Sequence, residues 1–162
     1  SGRFQRVNLD RVRTLGVELV ASWRPHAAWE FAGHHAALAA RRRAGGAYAG
    51  AVEDRPAYVS YLSAAWSGPA GLRAAADVAL LGPRSSADVT DPEDGLRRLP
   101  AQGAVGLRLA KVVASLGPLT RGEVYLRVDN LLDAVVESQT GLPQAGRTVA
   151  AGFQAWFESW PP

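Results

Sequence analysis

The 162 residues contain no cysteine, which excludes disulfide frameworks and thiolate zinc sites and leaves the compartment open, the cell envelope included. Lys111 is the single lysine, and every other cation is an arginine. Apart from Arg41-Arg42-Arg43 the arginines are scattered among acids. The net charge of +3 and the pI of about 9.8 therefore do not concentrate into a nucleic-acid-binding face, and no nucleic acid partner is expected. No run of about 18 uncharged apolar residues occurs, so no helix can cross a bilayer. A membrane strand is still allowed. It alternates lipid-facing and inward-facing residues, so a barrel has a middling mean hydropathy, and this chain's value is −0.06. Ser, His and Asp all occur, but without G-x-S-x-G, a P-loop or a dinucleotide fingerprint. Neither enzymatic activity nor a cofactor is expected. The sequence opens at Ser1 without Met or a signal peptide, which an exported protein needs. Processing has removed it, or the sequence is a fragment.

What is abundant is punctuation. Gly (17) and Pro (10) recur at fairly regular intervals, and the segments between them alternate, which is an all-β pattern. Seven segments read as strands, with the end of an eighth opening the chain. In Thr14–Trp23, residues Leu15, Val17, Leu19, Ala21 and Trp23 share one face; Thr14, Gly16, Glu18 and Ser22 share the other, with Val20 as the exception. Arg24-Pro25-His26 reads as a tight turn. Ala28–Ala40 is the most ambiguous strand, because its alanines also suit a helix; Gly33 and His34-His35 weaken the helix. Tyr58–Trp66, Leu72–Leu81, Val105–Leu116, Glu123–Asn130 and Arg147–Phe157 complete the set. Short turns (Arg24–Ala27, Ser67–Gly71, Gly117–Gly122) interleave with long loops (Arg41–Pro56, Gly82–Ala104, Leu131–Gly146). Transmembrane barrels have this alternation of short periplasmic turns and long outer loops.

Three elements point to a family. Val128-Asp129-Asn130-Leu131-Leu132-Asp133 resembles the "NLFD" element that ends the penultimate strand of TonB-dependent receptors, with Leu132 in place of its Phe. Gly141-Leu142-Pro143-Gln144-Ala145-Gly146-Arg147 is similar to the family's "G-x-P-x-P-G-R" element before the last strand, with Ala145 in place of the second Pro. Near the start, Asn8 to Gly16 and Glu18 match "N-x-x-x-x-x-x-x-G-x-E". The three occur in the family's order and span nearly the whole chain. The final strand's Phe157 is the terminal aromatic that barrel assembly recognises, although Glu158–Pro162 runs past it.

The resemblance implies an antiparallel transmembrane β-barrel segment of about seven to eight meandering strands, part of a barrel of roughly 22 strands. The segment covers residues 1–162, and the plug domain and TonB box are not in it. It implies a Gram-negative outer-membrane location and TonB-energised uptake of a scarce solute such as a ferric siderophore, cobalamin or a glycan. The implied partners are outer-membrane lipid, the rest of the barrel and its plug, the TonB complex acting through that plug, the barrel assembly machinery, and a small-molecule substrate of unknown identity. Two rivals stand beside it: a self-contained barrel of about eight strands, structural or adhesive, and a soluble ligand-binding β-barrel. A narrow barrel is filled by its own side chains, and Ala32, Ala36, Ala75, Ala79, Ala110 and Gly152 are small for that task. Trp23, Trp29, Trp66, Trp156 and Trp160 lie near strand ends, where interfacial belts place aromatics.

Candidate residues divide by role. Asn8, Gly16, Glu18, Asn130, Leu131, Asp133, Gly141, Pro143, Gly146, Arg147 and Phe157 are motif positions read as fold elements. Arg73, Asp77, Arg108, Glu123, Arg127 and Asp129 are read as lumen-facing charges, whose bland alternative is the solvated face of a soluble sheet. His26, Glu30, His34 and His35 could ligate a metal, but polar histidines at loop ends are the preferred reading and no metal is expected. Asp88, Asp91, Glu93 and Asp94 read as solvated loop charge, not a Ca²⁺ loop.

Overall fold

The computed structural model describes residues 11–44, 46–88, 96–113 and 120–157. Its strands are β1 (Val12–His26), β2 (Trp29–Ala44), β3 (Ala47–Ala51), β4 (Tyr58–Ser67), β5 (Leu72–Leu81), β6 (Arg84–Ala87), β7 (Leu96–Leu99), β8 (Gln102–Val113), β9 (Thr120–Asp129), β10 (Glu137–Gln139), β11 (Leu142–Pro143) and β12 (Thr148–Phe157). The main sheet runs in the order β1-β2-β4-β5-β8-β9-β12, with β3 folded back on the end of β2. Every adjacent pair is antiparallel. Each long strand follows its neighbour in sequence, so the sheet is a meander of seven. Among the described residues β1 pairs only with β2 and β12 only with β9, and the sheet is open rather than closed.

The seven long strands correspond one to one to the seven alternating segments read from the sequence. The helix alternative for Ala28–Ala40 is set aside: β2 is continuous strand and pairs on both sides. The strand ends need correction. Arg24-Pro25-His26 is not a turn but the end of β1, with a register shift between Trp23 and His26. β1 is an edge strand, and an edge accommodates a proline that cannot donate to a ladder. The supposed turn Gly117–Gly122 is already strand from Thr120 on, while residues 114–119, with the expected end of the strand at Leu116, lie outside the described residues. Three supposed loops also contain strand. Arg41–Pro56 holds the end of β2 and β3, Gly82–Ala104 holds β6, β7 and the start of β8, and Leu131–Gly146 holds β10 and β11.

Register decides the faces, because directly opposed residues point the same way. One row runs Leu19↔His35, His35↔Ser60 and Ser60↔Leu80; another runs Ala76↔Leu107, Leu107↔Val128 and Val128↔Val149. Traced this way, one face carries Leu15, Val17, Leu19, Trp23, Phe31, Leu62, Val78, Leu107, Leu109, Val124, Leu126, Val128, Val149 and Phe153. Its polar members include Arg13 and Arg41, opposed at the long-loop end, and three residues whose partners are seen. His35 Nδ1 and Ser60 Oγ hydrogen-bond to each other at 2.7 Å. Lys111, at the end of β8, donates to the carbonyl of Ala70 in the single helical turn Pro69–Gly71.

This apolar face is uncovered. Val17 is 74% exposed, Leu62 51% and Val149 66%. Among the described residues the only buried hydrophobics are Leu99 and Ala110. The protein therefore has almost no conventional interior. Its apolar side chains point outward across a whole sheet.

At the short-turn end, Trp23, Phe31, Trp29 and Trp66 form a row on this face, with ring centroids 5.5, 5.7 and 6.4 Å apart in turn. Trp156 departs from the expected belt: it lies on the opposite face, across from Arg121. Trp160 is outside the described residues. Toward the long-loop end of β4 stands Tyr58, whose ring stacks on His35 at 6.0 Å. Eight strand steps separate Trp66 from Tyr58, or about 26 Å at 3.3 Å per residue.

Candidate functional site

The second face of the sheet holds the charges. Arg73 on β5, Arg108 on β8 and Glu123 on β9 converge: Arg73 Nη1 donates to Glu123 Oε2 at 3.1 Å, and Arg108 donates to Glu123 Oε1. Glu123 is only 2% exposed. The guanidinium of Arg108 lies 4.6 Å from the ring centroid of Tyr125, a cation–π contact. That ring in turn lies across Gly152 on β12, where an added Cβ would come within 2.5 Å of it. A second group adjoins the first. Arg127 Nε donates to Asp129 Oδ1 at 2.7 Å, and Arg127 Nη2 stands 3.6 Å from Asp77 Oδ1. All six residues read from the sequence as inward-facing charges thus share one face and are joined in ion pairs across three strands.

The physical cause is register. Period-two alternation puts each charge on the same side of its own strand. The pairing Ala75↔Arg108 and Arg108↔Arg127 then sets the strands so that Glu123 on β9 meets Arg108 on β8 and Arg73 on β5, and Arg127 on β9 reaches Asp77 on β5. The small side chains Ala32, Ala36, Ala75, Ala79, Ala110 and Gly152 lie on this same face, between the charges.

The motif residues meet at the long-loop end. Asn130 sits at φ +49° and bonds both ways to one residue: its Nδ2 donates to Ala134 O at 2.8 Å, and its Oδ1 accepts from Ala134 N at 2.9 Å. Asp133, at φ +54°, accepts from Arg147 N at 2.7 Å. Arg147 Nη1 reaches Leu131 O at 3.4 Å. At Gly146 a Cβ would stand 2.6 Å from Asp133 Oδ1, so only glycine leaves this carboxylate in place. Residues 130–133 and 146–147 therefore form one clasp that ends β9 and aims β12. Gly141 has φ +79°, and Pro143 opposes Glu137 in the small β10–β11 hairpin. Gly16 is a close approach of β1 to β2, where a Cβ would be 2.9 Å from Ala37 O. Glu18 bonds His34 Nε2 at 2.8 Å on the charged face. The backbone of Phe157 pairs with Thr120 at the end of β12. Asn8 lies outside the described residues.

The histidines do not converge on one point, and His34 and His35 are not loop-end residues as expected but lie inside β2, paired on both sides. His34 meets Glu18, His35 meets Ser60 on the opposite face, His26 Nδ1 accepts from Ala28 N at 3.1 Å, and Glu30 pairs with Arg24 at 2.7 Å. Asp88 bridges Thr140 and lies 3.9 Å from Arg97. Asp91, Glu93 and Asp94 lie outside the described residues.

One cluster was not anticipated. Above the long-loop end of the sheet, β6, β7 and β10 pack into a polar cap. Ser86 is fully buried, and Thr140 and Arg84 are nearly so. Arg84 Nη2 donates to the carbonyls of Glu137 and Ser138. Gln139 Nε2 donates to Asp54 Oδ2 at 3.1 Å, and Glu53 Oε1 accepts from Ala87 N at 3.2 Å. In the sequence these segments read as loop. Nothing there revealed that Arg84 would be buried.

No protein-family model matches this chain, and no curated protein matches it.

Proposed function

We propose that this chain forms part of the wall of a Gram-negative outer-membrane β-barrel of the TonB-dependent receptor kind, which takes up a scarce solute. The observation that carries the proposal is the sidedness of the sheet. Seven adjacent strands turn an uncovered apolar face one way and a paired charge network the other. In water such a face would drive aggregation or demand a partner. In a bilayer it is the surface that lipid solvates. An aromatic row at one end and Tyr58 about 26 Å away along the strand bracket the apolar stretch, which tilts to roughly 20 Å of depth, close to the apolar band of such barrels. Short turns at one end and structured long loops at the other fit the periplasmic and outer sides.

The receptor kind is favoured over a narrow barrel by the open edges of β1 and β12 and by the small residues on the charged face. In this reading the open edges pair with the remaining strands, the charged face lines the lumen against a plug, and no covalent chemistry is performed. Brominated phospholipid tests the lipid contact. With the chain reconstituted in vesicles, Trp23, Trp29 and Trp66 should be quenched by lipid brominated near the headgroup end of the chain. A chain that stays monomeric and folded without detergent, with tryptophan emission unmoved by brominated lipid, rejects the proposal in favour of a soluble sheet protein.

A further inference from the structure

A cavity of about 490 Å³ opens at the long-loop end between the end of β2, the segment after β3, and the β6–β7 hairpin. Four arginines line it, Arg41, Arg55, Arg84 and Arg98, and among the described residues no carboxylate does. Among the described residues none of the four takes part in an ion pair, although five other arginines do: Arg24, Arg73, Arg97, Arg108 and Arg127. The acids beside Arg55 in sequence are engaged elsewhere, Glu53 by the Ala87 amide and Asp54 by Gln139. Arg84 is 5% exposed. Its Nη2 is satisfied by two backbone carbonyls, but its Nη1 is buried with no acceptor. An unpaired buried cation with an idle N–H is costly unless something supplies the acceptor and the opposite charge.

We propose that this cavity is a binding site for a small ligand bearing several carboxylate or phosphate groups, held by Arg41, Arg55 and Arg98 at the rim and by Arg84 at the base. Guanidinium groups match the planar oxygens of carboxylate and phosphate two bonds at a time. Four of them without a counter-acid call for a ligand of charge −2 or more, and the volume suits a molecule of a few to a dozen or so heavy atoms. As a statement about the solute a receptor captures, this rests on the proposed function; as a statement about anion binding, it does not.

The test is isothermal titration of the full chain, folded in uncharged detergent, with citrate and with pyrophosphate. Binding of at least one, weakening as NaCl is raised, is expected. The variant carrying Arg55→Gln and Arg98→Gln should bind that ligand more weakly by on the order of tenfold or more. Arg97→Gln, which removes a cation paired with Asp88 from outside the cavity, should leave binding unchanged. Both sites of the double substitution are exposed, so folding survives; circular dichroism checks it. Titration with short-chain phosphatidic acid in the same detergent separates the sources: preference for it, lost in the same double variant, assigns the site to a lipid headgroup phosphate, and preference for pyrophosphate assigns it to a free solute. Failure to bind either small anion and the lipid, or equal binding by the double variant, overturns the site. Anion binding by a chain that folds without detergent would keep the site and reject the receptor. A detergent-dependent chain that binds no anion would do the reverse.

Discussion

Replacing Leu62 by arginine probes the sidedness of the sheet at its most telling position. Leu62 is the central apolar residue of β4, four residues from Trp66 at one end and four from Tyr58 at the other. Its opposed neighbours are Gly33 and Val78, and it is 51% exposed. In water, Leu62→Arg removes about half of a leucine's burial, which is worth about 1 kcal/mol, and the arginine head stays solvated. At the midplane of a bilayer, arginine on the lipid face costs about 2–4 kcal/mol, and midway between the ends it cannot easily reach either interface. Ser63→Arg is the internal control. Ser63 is the next residue, on the charged face directly opposite Asp77, so its arginine meets an acid and should change stability by less than about 0.5 kcal/mol. The assay is urea unfolding of the chain folded into phospholipid vesicles, followed by tryptophan emission. The expected result is that Leu62→Arg falls at least about 1.5 kcal/mol below Ser63→Arg. Two variants within about 0.5 kcal/mol of each other would mean that both faces see water, and the membrane reading would be wrong.

Further consequences follow from the charged face and the clasp. Glu123→Gln strands two cations; a fully buried pair broken this way loses about 3–5 kcal/mol, but Arg73 and Arg108 keep 49% and 27% of their side-chain surface in solvent, so a loss of about 2 kcal/mol is expected. A double-mutant cycle with Arg108→Gln should show positive coupling, and additive effects would show that the pair is not formed. Asn130→Ala should cost about 2–3 kcal/mol, from two backbone hydrogen bonds and the left-handed φ. Asn130→Gly relieves the φ and should cost about 1 kcal/mol less; if the two variants unfold at the same denaturant concentration, backbone conformation plays no part. Gly146→Ala should destabilise by about 1–3 kcal/mol by displacing Asp133. It should cost much less in an Asp133→Ala background, and equal costs in both backgrounds would disprove the clasp.

The long strands were legible because each carries many side chains on a two-residue period. The alternation survives even in Ala28–Ala40, where His34 and His35 go to opposite faces and find different partners. Where a strand is short, no period is visible. β3, β6, β7, β10 and β11 have five residues or fewer, too few to show an alternation against the polar, Gly- and Pro-rich stretches around them. Val20 broke the pattern in the sequence and still breaks it: it is 71% exposed on the charged face, opposite His34, and the structure offers no reason for it. The six network charges were legible as a face but not as pairs, since Arg73 and Glu123 are 50 residues apart and only register brings them together. Arg84 was illegible for a related reason. It follows Gly82-Pro83, and its burial depends on β10 reaching over from more than 50 residues away.

The distribution of side-chain volume on the charged face bears on how wide a barrel this sheet belongs to. Long side chains crowd β5, β8 and β9, where Arg73, Arg108, Glu123, Tyr125 and Arg127 fill the surface and bury Glu123. Toward β2 the same face thins at Ala32, opposite Ser63 on β4, and at Ala36, opposite Val59, with His34 and Tyr61 between them. A barrel of about eight strands excludes water by meeting its own side chains at the axis. If this sheet curled that tightly, the thin half would bring little more than His34, Tyr61 and Glu18 against the crowded half, and the charges of β5 and β9 would lose the solvent that now reaches Arg73 and Arg127. A wide barrel removes the conflict. Its inward layer need only coat the wall, the thin region leaves room for whatever occupies the lumen, and the network ties three strands together without having to fill space. On this reasoning the alanines of β2 and β5 mark where a separate domain would rest, and bulky substitutions there, Ala36→Phe or Ala79→Phe, should leave the folding of this chain unchanged by urea titration. A marked gain in stability from either would favour the narrow barrel instead.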